Sequence, residues 1–150
     1  MPTSFSPELM RRIIMDHYSN PRNKRTPEES GYLSIHMDSA SCIDDLYIYL
    51  KMENDKIVDV AFDGIGCAIS IASTSIMSEL LKGLTKDEAF YIISQYKAML
   101  HGEDFDEEVL DEAIVFINTY RQASRIKCAT IGWDGVYELL DSLKEEKHEH

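Results

Sequence analysis

Apolar residues alternate with polar ones through three short stretches between residues 33 and 62, and from residue 67 onward the spacing becomes helical. Leu33, Ile35 and Met37 alternate in the first stretch, Leu46, Ile48, Leu50 and Met52 in the second, and Val58, Val60 and Phe62 in the third. Period two over so few residues predicts half-buried strands. Glu53-Asn54-Asp55 has the composition of a hairpin turn between the second and third, and residues 38–45 are short enough for an antiparallel link between the first and second. The strands therefore form a three-strand meander.

The helical spacing brackets this meander. Ser6-Pro7 is an N-cap and first-turn pair, and Leu9, Met10, Ile13, Ile14 and Tyr18 follow on one face. That helix stops near Ser19, because Asn20 precedes Pro21 and proline disfavours helical geometry in the residue before it. After the strands, Ile69, Ala72, Ile76, Leu80 and Leu81 mark a helix ending at Gly83, and Thr85 with Glu88 is a capping-box signature for a helix to about Gly102. Val109, Leu110, Ala113, Ile114 and Ile117 predict a shorter helix, and a last one runs from near Ser124 through Leu143. Strands first and helices afterwards predict an α+β domain: a three-stranded antiparallel sheet packed with about five helices. A chain of 150 residues is about one domain's worth, so 1–150 is read as a single domain with residues 144–150 as a disordered charged tail.

Charge narrows the function. Fifteen basic residues against 27 acidic ones give a net charge of -12, which argues against a nucleic-acid backbone or an anionic membrane as partner. No apolar run approaches the roughly 20 residues of a spanning helix. The N-terminus has no basic stretch followed by an apolar region, so a cytoplasmic location is expected.

In that compartment the three cysteines, Cys42, Cys67 and Cys128, are not expected to form a disulfide framework. They contain no C-x-x-C pair, so a shared site would have to be assembled by the fold. The meander brings two of them together: Cys42 lies in the link between strands one and two, and Cys67 follows strand three directly at the same sheet edge. Cys67 and Cys128 are both expected at helix N-termini, where backbone dipoles stabilise a thiolate, and Arg125 and Lys127 add positive charge beside Cys128. Asp44, two residues beyond Cys42, could give an oxygen ligand, and three thiolates with one carboxylate suit tetrahedral zinc. The simpler alternative is three separate buried thiols.

Three motifs in order, RRIIMDHYSNPRN, FDGIGCAISIASTSIM and SRIKCATIGW, resemble the SufU branch of the U-type iron–sulfur cluster assembly proteins over roughly residues 8–143. The resemblance implies one metal site made of Cys42, Asp44, Cys67 and Cys128. Lys127 stands where the IscU branch has His, which favours the SufU branch, whose members resemble zinc proteins accepting sulfur from a cysteine desulfurase. The first motif departs from the family pattern N-P-T-C-G-D followed by Arg or Lys. Here it reads Ser39-Ala40-Ser41-Cys42-Ile43-Asp44-Asp45, with Ile where glycine would be free to take positive φ, and Asp45 in place of the basic residue, so it could compete with Asp44 for the metal.

The reading favoured is therefore not an enzyme by itself but a zinc-bound acceptor of persulfide sulfur from a SufS-type cysteine desulfurase, with Cys42 as acceptor because a ligand in a hairpin loop leaves most easily. Other cluster assembly proteins are further partners. The alternatives are a scaffold using the same residues for a [2Fe–2S] cluster, a degenerate relative with structural zinc only, and a hydrolase using Cys42 with His36 and Asp44. His17 is read as a surface or helix-capping residue, His36 as a solvated strand residue, His101 as favourable at a helix C-terminus, and Trp133 as core.

Overall fold

The computed structural model describes residues 5–39 and 43–148. Its elements run α1 (Pro7–Ser19), β1 (Tyr32–Asp38), β2 (Asp45–Glu53), β3 (Lys56–Ile65), α2 (Ala68–Leu81), α3 (Lys86–Leu100), three short 3₁₀ segments between residues 107 and 121, and α4 (Ala123–His148). The strands form an antiparallel sheet in the order β1-β2-β3, which is the expected meander. Asn54 and Asp55 both take positive φ, 52° and 65°, the backbone a tight hairpin turn with the right-handed twist requires.

One sheet face is covered by helices. Leu46, Ile48 and Leu50 of β2 and Val60 and Phe62 of β3 are wholly buried. Against them α2 forms the centre of the molecule, buried nearly all round. A helix so enclosed is normally apolar on every side. This one instead carries Ser70, Ser73, Ser75 and Ser78, all buried, and each hydroxyl is hydrogen-bonded outside the helix or back onto it. Small side chains also let α4 come close: a Cβ on Gly132 would lie 2.4 Å from Thr74 Oγ1.

Three features differ from the sequence expectation. Val58 is exposed and Ile57 faces the core, because the β2–β3 register shifts between Lys51 and Met52 and passes from Asp59 to Ile57. An extra residue in one strand inverts the inside–outside parity beyond it. The helix expected over 109–117 is 3₁₀ instead, Glu107–Val109 and Asp111–Phe116, with a break at Asp111 where φ is 46°. Its apolar positions recur at intervals of three, and β-branched Ile114, Val115 and Ile117 crowd an α-helical turn. Finally, the α4 backbone continues to His148, through five of the seven residues expected to be a disordered tail; His150 and Glu149 lie outside the described residues. Lys and Glu are good helix formers, and a helix already nucleated extends readily through them.

The end of the sheet where β2 begins and β3 finishes, its upper edge, is fastened by two local devices. Gly64 has φ 122°, and a Cβ there would stand 2.2 Å from the Asp45 carbonyl oxygen, so β3 approaches β2 where only glycine fits. Beside it, the Asp63 carboxylate accepts from the Thr26 hydroxyl and the Gly64 N–H, both at 2.8 Å, and from Lys24 Nζ at 3.2 Å. The Thr26 and Gly64 bonds, then the Lys24 charge, hold this carboxyl below its usual range in spite of partial burial.

Gly64→Ala is expected to lower stability by about 1–3 kcal/mol, the cost of forcing a side chain into that backbone, read as a fall in the urea midpoint. Asp63 has its pKa lowered on folding, so its contribution is complete above the unfolded carboxylate value near 4 and is lost as pH falls through the folded value. Asp63→Asn should therefore unfold earlier than the parent at pH 6, by at most about 1 kcal/mol for so exposed a group. The two curves should converge below about pH 3.

Candidate metal centre

Asp44, Cys67 and Cys128 come together at this edge, each with one donor atom within 4.8 Å of the others. They arrive from three elements. Asp44 immediately precedes β2, Cys67 is the N-cap of α2, and Cys128 lies on α4. Asp44 is 2% exposed and Cys128 6%, with Cys67 half-buried. Cys42, the fourth expected ligand, lies outside the described residues.

The Asp44 carboxylate has a defined purpose in this arrangement. Its Oδ1 accepts from the Cys67 N–H at 3.0 Å and from the Ser70 hydroxyl at 2.8 Å. Cys67 Sγ in turn accepts from the Ser70 N–H at 3.5 Å, so α2 is capped by sulfur and carboxylate together. Anionic groups belong at the positive end of a helix. Cys128 differs from expectation here. It is the sixth residue of α4, past the first turn with its free N–H groups, and its Sγ approaches the Ser124 carbonyl at 3.9 Å. The helix N-terminal placement expected of both cysteines thus holds for Cys67 and does not extend to Cys128.

The donor set suits a divalent cation. Two thiolates and a carboxylate so close would repel one another when ionised, and a buried cation removes that repulsion. A tetrahedral zinc with sulfur at about 2.3 Å needs ligand atoms roughly 3.8 Å apart, and the 4.8 Å limit is reached from that by small side-chain movement.

The auxiliary cations sit on opposite sides. Arg125 lines a cleft of about 530 Å³ that also touches Arg11, Met10 and Ile69. Lys127 lines a second, of about 370 Å³, with Asp38, Ser39 and Thr130. Both are exposed at the surface. Asp45 and His36 are paired, Oδ1 to Nε2 at 2.5 Å, on the solvent face of the sheet, where His36 also stacks on Tyr47 with ring centres 4.4 Å apart. His36 is thus held by Asp45, and Cys42, which a Cys42–His36–Asp44 hydrolase would also need, lies outside the described residues. Asp45 is directed to His36 and is not among the clustered donors. Ile43 is 66% exposed and is not among the described residues with positive φ.

His17 is the residue whose setting the sequence reading missed. It is 3% exposed, with Nδ1 2.8 Å from Ser75 Oγ and Nε2 2.8 Å from Glu112 Oε1. An ionised Glu112 only accepts, so Nε2 carries hydrogen and the Ser75 hydroxyl donates to Nδ1 in the neutral ring. Ser75 Oγ also accepts from the Arg22 N–H and has no exposure, so this serine–histidine–glutamate line ties α1 and the 111–116 segment to α2. The only signal in the sequence was the helical face that His17 shares with Ile13 and Ile14. His101 is the C-cap of α3, and Trp133 is wholly buried, both as expected.

No helix among the described residues is long and apolar enough to cross a membrane. The chain matches the NifU-like N-terminal domain model over residues 9–129. It is 34% identical over 126 residues to the zinc-dependent sulfurtransferase SufU of Bacillus subtilis, covering 83% of this chain and 84% of that one. The iron–sulfur cluster assembly scaffold protein IscU of Streptococcus pyogenes is 28% identical, with coverage of 93% and 87%. A crystal structure of a SUF-system cluster assembly scaffold, SufU from Fervidobacterium islandicum, superposes with a TM-score of 0.81 at 35% identity, covering 85% of this chain and 93% of that one. A three-strand sheet under helices, a cysteine–aspartate cluster at its edge and these matches have one explanation: the chain belongs to the NifU-like N-terminal domain family of iron–sulfur cluster assembly proteins.

Proposed function

We propose that this protein, a single domain, is the sulfur-accepting partner of a SufS-type cysteine desulfurase, holding zinc through Cys42, Asp44, Cys67 and Cys128. The observation that carries the reading is the convergence of Asp44, Cys67 and Cys128 donors within 4.8 Å. The zinc-dependent name of the Bacillus subtilis relative supports the choice of metal. Zinc supplies Lewis-acid charge that keeps the ligating sulfurs as thiolates.

The chain's own residues do the rest. Asp44 holds the N-terminus of α2, and with it Cys67, against the sheet edge. Cys128 is carried on a buried stretch of α4. Cys42 as a thiolate would attack the outer sulfur of the donor's persulfide. A new S–S bond forms to Cys42, the old S–S bond breaks, and the donor cysteine leaves as a thiolate. No electrons are gained or lost overall. On this reading the protein catalyses nothing alone, and turnover belongs to the pair. The scaffold function named for the IscU relatives would use the same residues for a [2Fe–2S] cluster, and metal analysis separates the two.

Protein isolated without added metal should contain about one zinc per chain and no visible absorption. Zinc at a hundredfold excess over its Kd should raise the stability by about 2.7 kcal/mol, roughly 5–10 °C in melting temperature at this size. Cys67→Ala and Cys128→Ala should each lose most of both effects; parental zinc content in either variant would rule out the shared site. An anaerobic preparation with iron, sulfide and visible bands in place of zinc would select the scaffold. Ile43→Gly widens the backbone freedom next to Cys42, so labelled sulfur uptake from the desulfurase should rise severalfold with zinc content unchanged. Equal rates would mean that the loop as it stands already moves freely enough.

A further inference from the structure

The two helices that carry Cys67 and Cys128 are joined, one turn or so inside the metal centre, by a dry hydrogen-bond network. Ser73 of α2 lies 2.8 Å from the Tyr96 hydroxyl of α3 and 2.6 Å from the Ala129 carbonyl oxygen of α4. The Tyr96 hydroxyl is also 2.8 Å from the Ala129 oxygen, and the Trp133 indole N–H donates to Ser73 Oγ at 2.9 Å. Ser73 is 1% exposed and Tyr96, Ala129 and Trp133 not at all. Two hydroxyl protons serve three oxygen–oxygen contacts, so the Ala129 carbonyl receives at least one of them in every arrangement. The Tyr96 and Trp133 rings stack face to face, centroids 3.7 Å apart and planes 9° from parallel, which leaves the network little room to slide. Burial pushes the Tyr96 hydroxyl far up from its ordinary value, so it stays a donor at any working pH.

Ala129 is the residue after Cys128, and Ser73 is six residues along the helix that Cys67 caps. From this juxtaposition we propose that Ser73, Tyr96 and Trp133 are positioning residues for the metal centre: they fix the axial register of α4 against α2, and so the separation of the Cys67 and Cys128 thiolates. The magnitudes make such a device necessary. A helix advances about 1.5 Å per residue, whereas metal–ligand distances tolerate only about 0.2 Å. Apolar packing fixes how near two helices lie better than how far one has slid along the other. A buried carbonyl with directed donors has one satisfied position. The contact of Gly132 with Thr74 sets the helix separation, and the hydroxyl network sets the register.

This inference rests on the zinc reading above, and the experiment distinguishes the two. Tyr96→Phe keeps the stacked ring and removes the hydroxyl, and Ser73→Ala removes the shared atom. Each should remain folded without metal, yet bind zinc at least about tenfold more weakly in competition with a chromophoric chelator, the effect expected of groups that orient ligands. Cobalt-loaded variants should show displaced d–d bands, which a loss of stability alone would not produce. Ile57→Val, at the far end of the sheet, serves as the control for destabilisation and should keep both affinity and spectrum. Because coupling is reciprocal, zinc added to the parent should change the emission of Trp133, the sole tryptophan, with a break near one equivalent; this holds even where a variant fails to fold. Parental affinity and cobalt spectrum in Tyr96→Phe and Ser73→Ala, or unchanged Trp133 emission at saturating zinc, would overturn the positioning role and leave the zinc reading standing. A parent that binds no zinc would overturn both.

Discussion

A single buried carboxylate holds the upper edge of this molecule together. Asp44 is nearly without solvent, and burying a carboxylate costs several kcal/mol unless its oxygens are satisfied. Its Oδ1 is satisfied by the Cys67 N–H and the Ser70 hydroxyl, both at the opening of α2. The same contact therefore ends a loop, begins a helix and sets a thiol beside a carboxylate. The Ser39 N–H bonded to the Asp44 carbonyl at 3.1 Å closes the segment on its other side. Removing the carboxylate would leave the Cys67 N–H without its acceptor and the sheet edge without its tie, whether or not a metal is bound.

Much of this arrangement could be read from the sequence because it depends on local periodicity. The alternation through Leu46, Ile48 and Leu50 fixes which face of β2 is buried, and the meander then brings the end of β3, with Cys67, to the edge where β2 begins. Cys128 was not placeable in that way. Its position depends on how α4 lies across α2, a matter of side-chain fit at Gly132, Thr74 and Ser73 that no periodic pattern reports. The bulge at Val58 escaped for a related reason: one inserted residue leaves the alternation looking intact while it reverses the face. His17 escaped because its two partners are 58 and 95 residues away in the chain.

The unusual first motif has a physical context in the fold. Asp45 faces the solvent side of the sheet and pairs with His36, itself stacked on Tyr47, so the added carboxylate is occupied away from Asp44. Directly across from it on β3 is Ile65, 67% exposed, and Ile43 is 66% exposed nearby in sequence. Two bare isoleucines and a histidine-bound carboxylate thus border the candidate metal centre.

The distribution of rigidity around the centre bears on which sulfur can accept. Displacing Cys67 would uncap α2, whose residues are buried nearly all round, and displacing Cys128 would strain a helix pinned through Ala129 to Ser73 and Tyr96. Either movement breaks packed contacts or buried hydrogen bonds, each costing about 1 kcal/mol or more. Asp44 is bound by its own two donors and carries no sulfur. Cys42 belongs to none of these elements; in sequence it falls between β1 and β2. On the proposed sulfur-transfer reading, one ligand must leave the metal centre while the others keep it, and releasing a donor held by these packed elements carries that cost. The proposed division, with three donors fixed by helices and sheet edge and one thiol left to the connecting segment, meets both requirements.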